Sequence, residues 1–242
     1  MHMKVAVGFF GITRSLKYTI NSINENIFDV LKTNNIEYDV YIHTYNLTNY
    51  KNIRTGEKVN DDQIDNTEYN LLNPDFIEID KQETIKQKLN LLLYRSHVDP
   101  WGTNYNSVDN FILAQYSKLK LTKMIEEKNI KYDYVLFMRP DCLYINKLPI
   151  DSFLLVDDSS VIIPNFHLYG RIPFNDRFCI CNINTYKIYG GVFNVLLDIS
   201  KSQPLHSETI IGELLTKKCL NIKKINFMFR RIRFDGSSPD KF

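Results

Sequence analysis

The sequence has no excess of either charge. Lys and Arg number 30 against 28 Asp and Glu, which leaves a formal net charge of +2 over 242 residues. A nucleic-acid-binding protein that works through bulk charge needs a concentrated basic face, so this balance argues against a nucleic-acid partner. The one dense basic cluster indicates a solvated strand edge or a patch for a phosphorylated ligand, and it contains Lys223, Lys224, Arg230, Arg231 and Arg233.

Long apolar runs and paired cysteines are also missing. No stretch approaches the roughly 18 apolar residues of a transmembrane helix, so no membrane span is expected. A strand opens at Lys4 without an apolar leader before it, which predicts a cytoplasmic protein. The four cysteines lie in or beside apolar runs, and Cys179 and Cys181 lack the spacing of a zinc site. We therefore expect them to be reduced core residues.

Neither of the common glycine-rich phosphate motifs is present. Without GxGxxG or GxxxxGK[ST], neither a dinucleotide fingerprint nor a P-loop is predicted. The first unit is still a strand at Lys4–Phe10, a turn with Gly11, and a helix over residues 15–31. Gly11 lets a ligand approach the backbone, while Thr13, Arg14 and the free N–H groups of the helix start favour an anion.

Polar side chains recur where apolar strands end. The predicted strand at 37–45 ends in His43, Thr44 and Tyr45, and the buried strand Tyr134–Met138 is followed by Arg139-Pro140-Asp141. Ligands of open α/β sheets bind at the carboxyl ends of the strands. A carboxylate there holds a divalent cation, and an arginine there binds a phosphate in a fixed fork. The structural alternative is a strand that turns at Pro140 with both charges solvated.

The remaining pattern predicts one α/β domain whose first half is a parallel sheet. The polar segment 46–73 is predicted to be a surface excursion, and the loop 94–106 with the only Trp is a candidate ligand-facing loop. Further helices are predicted at about 81–93, 107–128, 184–199 and 207–219, with Ser15, Ser107 and Ser207 as helix N-caps. Further strands are predicted at 76–80, 160–164 and 178–181, and a final strand or hairpin at 222–234.

Several short motifs occur in an order that resembles the GT-A glycosyltransferases, in particular the small nucleotide-sugar-dependent enzymes of large DNA viruses. The order matters more than any one motif, and the motifs are Phe10-Gly11-Ile12-Thr13-Arg14-Ser15, His43-Thr44-Tyr45, Gln115, Arg139-Pro140-Asp141 and Asn175-Asp176-Arg177-Phe178. The resemblance implies a single Rossmann-like GT-A domain with a central, mostly parallel sheet flanked by helices. It implies a nucleotide-sugar-binding half at 1–145 and an acceptor-side half at 146–242. A viral protein would act in the host-cell cytoplasm or the virion.

The resemblance also implies an activity and a cofactor. The expected reaction is hexosyl or deoxyhexosyl transfer from a nucleoside-diphosphate sugar, UDP-linked, to a glycan or other hydroxyl acceptor, with inversion. The family's metal motif is Asp-x-Asp, but Arg139 stands where the first Asp belongs, so Asp141 alone would hold Mn²⁺ or Mg²⁺. Arg139 is the alternative source of charge compensation.

The site residues follow from the same resemblance. An inverting transferase needs one carboxylate base, for which Glu208 and Asp176 are the candidates, and His206 would complete a metal shell or bind phosphate. The donor is expected to contact Gly11, Thr13, Arg14, His43, Thr44, Tyr45, Gln115, Arg139 and Arg177. Two rival functions stay open: a nucleotide-sugar-binding module without catalysis, as the missing Asp suggests, and a nucleotidyltransferase.

Overall fold

The protein forms a seven-stranded sheet with two small two-stranded sheets beside it. The structure is a computed structural model and describes residues 3–240. In chain order the strands are β1 (Lys4–Phe10), β2 (Glu37–Asn46), β3 (Asn49–Asn52), β4 (Glu57–Asn60), β5 (Phe76–Lys81), β6 (Tyr134–Met138), β7 (Cys142–Tyr144), β8 (Ser160–Pro164), β9 (Phe178–Asn182), β10 (Asn221–Ile225) and β11 (Phe229–Arg231).

The main sheet has the strand order β10-β8-β9-β6-β1-β2-β5, and only β9 runs against its neighbours. β1 and β6 lie at its centre and are buried on both faces, which explains their continuous apolar sequences. The predicted α/β fold with a central, mostly parallel sheet flanked by helices is thereby confirmed.

Helices cover both faces of the sheet. They are α1 (Leu16–Ile23), α2 (Asp29–Thr33), α3 (Gln82–Leu89), α4 (Asn106–Lys128), α5 (Tyr186–Gly190), α6 (Phe193–Ser200) and α7 (Ser207–Lys217). The long helix α4 packs with α5, α6 and α7 on one face, around Ala6, Val135 and Phe137. On the other face α1 and α2 pack with Val7 and Leu136. Among residues 3–240, none of the helices combines the length and apolar composition that a membrane-spanning segment requires.

Two predicted helices are interrupted, and a third ends early. The helix expected at 81–93 ends at Leu89, where Asn90 takes the left-handed conformation before a 3₁₀ turn at Leu91–Tyr94. The helix expected at 15–31 contains a π-helical turn at Asn24–Phe28 between α1 and α2. The helix expected at 184–199 is split at Gly191 into α5 and α6. The apolar spacing holds across both breaks, so the hydrophobic pattern alone gives no sign of them.

None of the three predicted serine N-caps, Ser15, Ser107 and Ser207, caps its helix through its hydroxyl. The Ser15 hydroxyl donates to the carbonyl of Ile232 rather than capping α1. α4 begins at Asn106 after Tyr105 in the left-handed conformation, and the Ser107 N–H donates to the Thr103 hydroxyl at 3.0 Å, so Ser107 is not the cap. At α7 the cap is His206, whose ring accepts from the Thr209 N–H.

A hairpin and the C-terminal segment lie together at the carboxyl edge of the central strands. The segment 46–73, predicted only as a surface excursion, contains the hairpin of β3 and β4. Glu57 of this hairpin accepts from the backbone N–H of Phe234 and pairs with Arg233 at 3.3 Å. The two chain segments therefore form one border of the space above the sheet edge.

Candidate functional site

The strand directions bring the polar clusters together. β1, β2 and β6 are parallel, so Gly11, Tyr45 and Arg139 follow them at the same edge. β9 is antiparallel to β6, so its beginning lies where β6 ends, and the Arg139 N–H donates to the carbonyl of Arg177 at 3.2 Å. One antiparallel strand thus adds Asp176 and Arg177 to the edge that the parallel strands form.

A cavity of about 350 Å³ opens at this edge. Of the predicted site residues it is lined by Gly11, Arg14, Tyr45, Arg139, Asp176, Arg177 and Glu208. Gly11 has φ +99°, a value that L side chains adopt only with strain, and its N–H donates to Ser117 Oγ at 2.8 Å. The turn after β1 is therefore fixed to α4 rather than free to change shape.

Asp141 lies beneath the cavity and is engaged by two arginines. Its carboxylate accepts from Arg139 through Nε at 2.8 Å and through Nη2, and from Arg14 Nη2 at 3.4 Å. The side chain is 1% exposed. Burial would raise the pKa of this carboxyl, but the positive charges of Arg139 and Arg14 outweigh burial and hold the pKa well below its ordinary value. Asp141 is consequently an anion that orients two guanidinium groups.

Arg177 connects the two candidate bases. It lies 3.3 Å from an Asp176 oxygen and donates to Glu208 Oε1 at 3.4 Å. Ser207 donates its hydroxyl to the other Glu208 oxygen. Burial would raise the pKa of Asp176, but Arg177, Arg139 and Lys118 lower it further than burial raises it. The carboxylate of Asp176 is therefore an anion at neutral pH, stabilised by the positive charges around it.

Lys118 lies below Asp176, fully buried on α4. Its Nζ is 3.6 Å from the centre of the Tyr189 ring, and no polar atom of residues 3–240 accepts a hydrogen bond from it. Burial lowers the pKa of this amine to about 7, against an upward effect of Cys179 and Asp176. A buried ammonium without a hydrogen-bond acceptor is costly. The negative charge of Asp176 and the electron-rich face of the Tyr189 ring offset part of that cost.

Four predicted donor residues do not line the cavity. Thr13, Thr44 and Gln115 are buried below its surface. His43 binds Ser117 Oγ through Nδ1 at 2.8 Å and Asp80 through Nε2 at 3.2 Å, so it links β2 to α4 and β5. Burial lowers the pKa of His43, although Asp80 raises it. In this structure these side chains support the cavity from behind.

Other cavity residues were predicted only in part: Arg231 and Arg233 as members of a basic cluster that could bind a phosphorylated ligand, and Trp101 as part of a candidate loop. Arg54 lies between β3 and β4, while Arg231 and Arg233 belong to the C-terminal segment. Trp101 enters from the predicted ligand-facing loop and stacks on His206, with ring centres 5.1 Å apart. The run Arg230-Arg231-Ile232-Arg233 was a usable signal, since alternate residues of an extended chain face the same side. Arg54 had no such signal.

The residues around Asp141 do not fit a divalent cation. Mg²⁺ and Mn²⁺ need several free oxygen ligands, whereas Asp141 is taken up by Arg139 and Arg14, and Asp176 and Glu208 face Arg177. A different trio, His43, Glu78 and Asp80, has potential ligand atoms within 4.8 Å of one another. It lies outside the cavity, and Glu78 is paired with Lys120.

Comparison with known proteins gives no family assignment. No family model matches the chain, and no curated protein matches it. Among solved structures, a glycosyltransferase involved in glycosylation of the major capsid of PBCV-1 has a TM-score of 0.48 at 10% identity, covering 93% of this chain and 82% of that one. The galactosyltransferase LgtC has 0.48 at 12% identity, covering 93% and 73%. GlyE of Streptococcus pneumoniae has 0.44 at 10%, covering 93% and 46%. Likenesses at this level carry no residue roles.

Proposed function

We propose that the protein is a glycosyltransferase that moves a sugar from a nucleoside-diphosphate donor, UDP-linked, to a hydroxyl acceptor with inversion. The observation that carries the proposal is the composition of the cavity at the carboxyl edge of β1, β2 and β6. Guanidinium groups from several elements converge there with two carboxylates. Arginine forks suit phosphates, and a carboxylate suits the removal of a hydroxyl proton.

The guanidinium groups of Arg14 and Arg139 would bind the diphosphate beside the turn after β1. Tyr45 lines the cavity near this turn, with its hydroxyl fixed by donation to the Leu113 carbonyl at 2.7 Å. The ring is buried, so Tyr45 would form part of the rigid wall beside the donor. The predicted halves, 1–145 for the donor and 146–242 for the acceptor, both contribute to the cavity, and the assignment of each half remains part of the proposal.

The chemistry at the sugar would be a single displacement. The acceptor oxygen forms a bond to the anomeric carbon while the bond from that carbon to the β-phosphate oxygen breaks. The leaving diphosphate takes the electron pair, and the acceptor proton moves to Asp176 or Glu208. Both carboxylates form ion pairs with Arg177. A divalent cation, where a relative's site holds one, supplies charge neutralisation at the diphosphate. Here that neutralisation falls to the protein's own residues.

Activity on a panel of UDP- and GDP-sugars tests the proposal, with release of the nucleoside diphosphate as the signal. Asp176→Asn and Glu208→Gln keep the shape of each side chain and remove its basicity. We expect the variant of the true base to lose about 10²- to 10⁴-fold in kcat with nucleotide binding retained. Release from no donor on the panel, by a protein that is folded, would contradict the proposal.

A nucleotide-sugar-binding module without catalysis is the second candidate. The observation that favours it is the engagement of both carboxylates by Arg177, which leaves neither of them free of a positive partner. The two candidates differ in one measurement. A binding module is stabilised by a UDP-sugar during thermal unfolding and releases no UDP, whereas the enzyme releases UDP.

A further inference from the structure

The cations of the cavity come from four separate parts of the chain, and most of them are held by carboxylates. Arg14 precedes α1, Arg139 follows β6, Arg54 joins β3 to β4, and Arg231 and Arg233 lie on the C-terminal segment. We call these five residues the arginine cluster. Their convergence on one cavity is unusual, because like charges repel unless carboxylates or a ligand anion compensate them.

Every member of the arginine cluster except the exposed Arg54 has a carboxylate partner. Asp141 binds Arg139 and Arg14, and Asp240 accepts from Arg231 Nε at 3.1 Å. Glu57 pairs with Arg233 at 3.3 Å and lies 3.9 Å from Arg14. These contacts fix the guanidinium planes before any ligand arrives, so ligand binding does not have to order them.

The compensation is incomplete. Five guanidinium groups face three carboxylates, namely Asp141, Glu57 and Asp240, and Arg177 is not counted because Asp176 and Glu208 share it. Arg54 is exposed, and none of the carboxylates whose side chains the structure describes forms an ion pair with it. The arginine cluster thus has a formal surplus of two positive charges, and the adjoining Arg177, Asp176 and Glu208 reduce the surplus of the whole cavity to one. A positive surplus is the sign of charge that the diphosphate of a nucleotide sugar requires.

Hydrogen-bond donors also remain free in the cluster. The buried Nε atoms of Arg14 and Arg233 have no acceptor among the described residues. An unsatisfied buried donor costs on the order of 1–3 kcal/mol, so an oxyanion that accepted a hydrogen bond from either Nε would offset that cost. The charge and the donor inventory therefore point to the same ligand chemistry.

We propose that the arginine cluster neutralises the diphosphate without a divalent cation, and that Asp141 is a positioning residue for Arg139 and Arg14 rather than a metal ligand. The proposal rests on the proposed function, because it concerns the same donor. When the anomeric bond breaks, the additional negative charge appears on the β-phosphate oxygen. Fixed guanidinium groups stabilise that charge with no reorganisation.

The test is equilibrium binding of UDP and GDP to the full chain by titration calorimetry, once in EDTA and once in MnCl₂. We expect the Kd of the better ligand in EDTA to lie within about twofold of its Kd in Mn²⁺. The matching monophosphate should bind at least tenfold more weakly, because it lacks the second phosphate. Binding that requires Mn²⁺, or tightens tenfold with it, would overturn the metal-free site and leave the transferase intact. No binding of either diphosphate in both buffers would instead overturn the proposed function.

Two variants separate positioning from metal ligation. Asp141→Asn releases Arg139 and Arg14, so the affinity in EDTA should fall about tenfold and Mn²⁺ should not restore it. A metal ligand would behave in the opposite way, with affinity in EDTA unchanged and only the Mn²⁺ effect lost. Because Asp141 is buried and its variant could unfold, the exposed Arg54→Ala provides an independent measurement.

Arg54→Ala should weaken UDP binding several-fold in EDTA. The matched control is Lys58→Ala, which removes an exposed cation from the same hairpin but does not line the cavity. Equal effects of the two variants would mean that only long-range charge matters, and the cluster would lose its role.

Discussion

At the scale of single residues, Lys118 couples stability to pH. The pKa of its amine is about 7 in the folded chain against an ordinary 10.5, because burial disfavours the charged form. Between pH 7 and pH 10.5 the unfolded chain holds a proton on this amine that the folded chain lacks, so stability increases as the pH rises through this window. Below pH 7 the amine is charged in both states, and the full cost of burying the ammonium is present. Lys118→Met should therefore raise the free energy of unfolding most at pH 6, by on the order of 4 kcal/mol, with the gain fading towards pH 10.

Urea unfolding at pH 6, 8 and 10 measures this gain. Burial raises the pKa of the adjacent Cys179 thiol well above its ordinary value, so that group stays neutral over the range. Lys123→Met on the exposed side of the same helix is the control and should show no such trend. A loss of stability at every pH in Lys118→Met would show that the amine stabilises the fold, contrary to this expectation.

The residue scale also shows what the sequence reveals about a site. Arg139, Asp176 and Glu208 were recognisable because charged residues beside apolar runs have no role in a core. The partner of each charge was not recognisable: the Arg139–Asp141 fork joins neighbours, but Arg14 reaches Asp141 across 127 positions. Pairing over such distances depends on the strand order, which a single sequence does not contain.

At the scale of secondary-structure elements, α5 and α4 approach closely at Gly190. A Cβ there would lie 1.9 Å from Thr122 Oγ1, a clash that requires the Thr122 side chain or the helix backbone to move. Gly190→Ala should lower the free energy of unfolding by about 1–3 kcal/mol through overpacking. Urea unfolding of the single variants and of Gly190→Ala/Thr122→Ala measures the coupling. The double variant should recover part of the loss, and purely additive losses would contradict a steric origin.

Elements were predictable where the hydrophobic period was long and unbroken. The buried strands β1 and β6 and the helix α4 lie within a residue or two of their expected positions. The hairpin of β3 and β4 was missed because Asn49–Asn52 and Glu57–Asn60 carry almost no apolar alternation. Their inward Tyr50 and Val59 pack against Phe234 and its neighbours, a contact made by a distant segment.

At the scale of the whole molecule, the sheet provides one wall of the cavity, while the hairpin and the C-terminal segment provide another. Arg14 and Arg139 belong to the sheet wall, and Arg54, Arg231 and Arg233 belong to the other. The second wall is linked internally through Glu57, which contacts both Arg233 and the Phe234 N–H. A diphosphate held by the arginine cluster would therefore bridge two parts of the chain that are far apart in sequence.

Hydrogen exchange followed by mass spectrometry tests this bridging. Adding UDP in EDTA should slow exchange in residues 49–60 and 229–240 together, because the ligand adds ionic contacts to both segments at once. The amides of β1 and β6 should be unaffected, since the central strands are already buried and paired on both sides. UMP is the matched ligand control, because it carries the same base without the second phosphate. Protection by UDP that is confined to the turn after β1 and to the start of α1 would mean that the sheet wall binds the diphosphate alone.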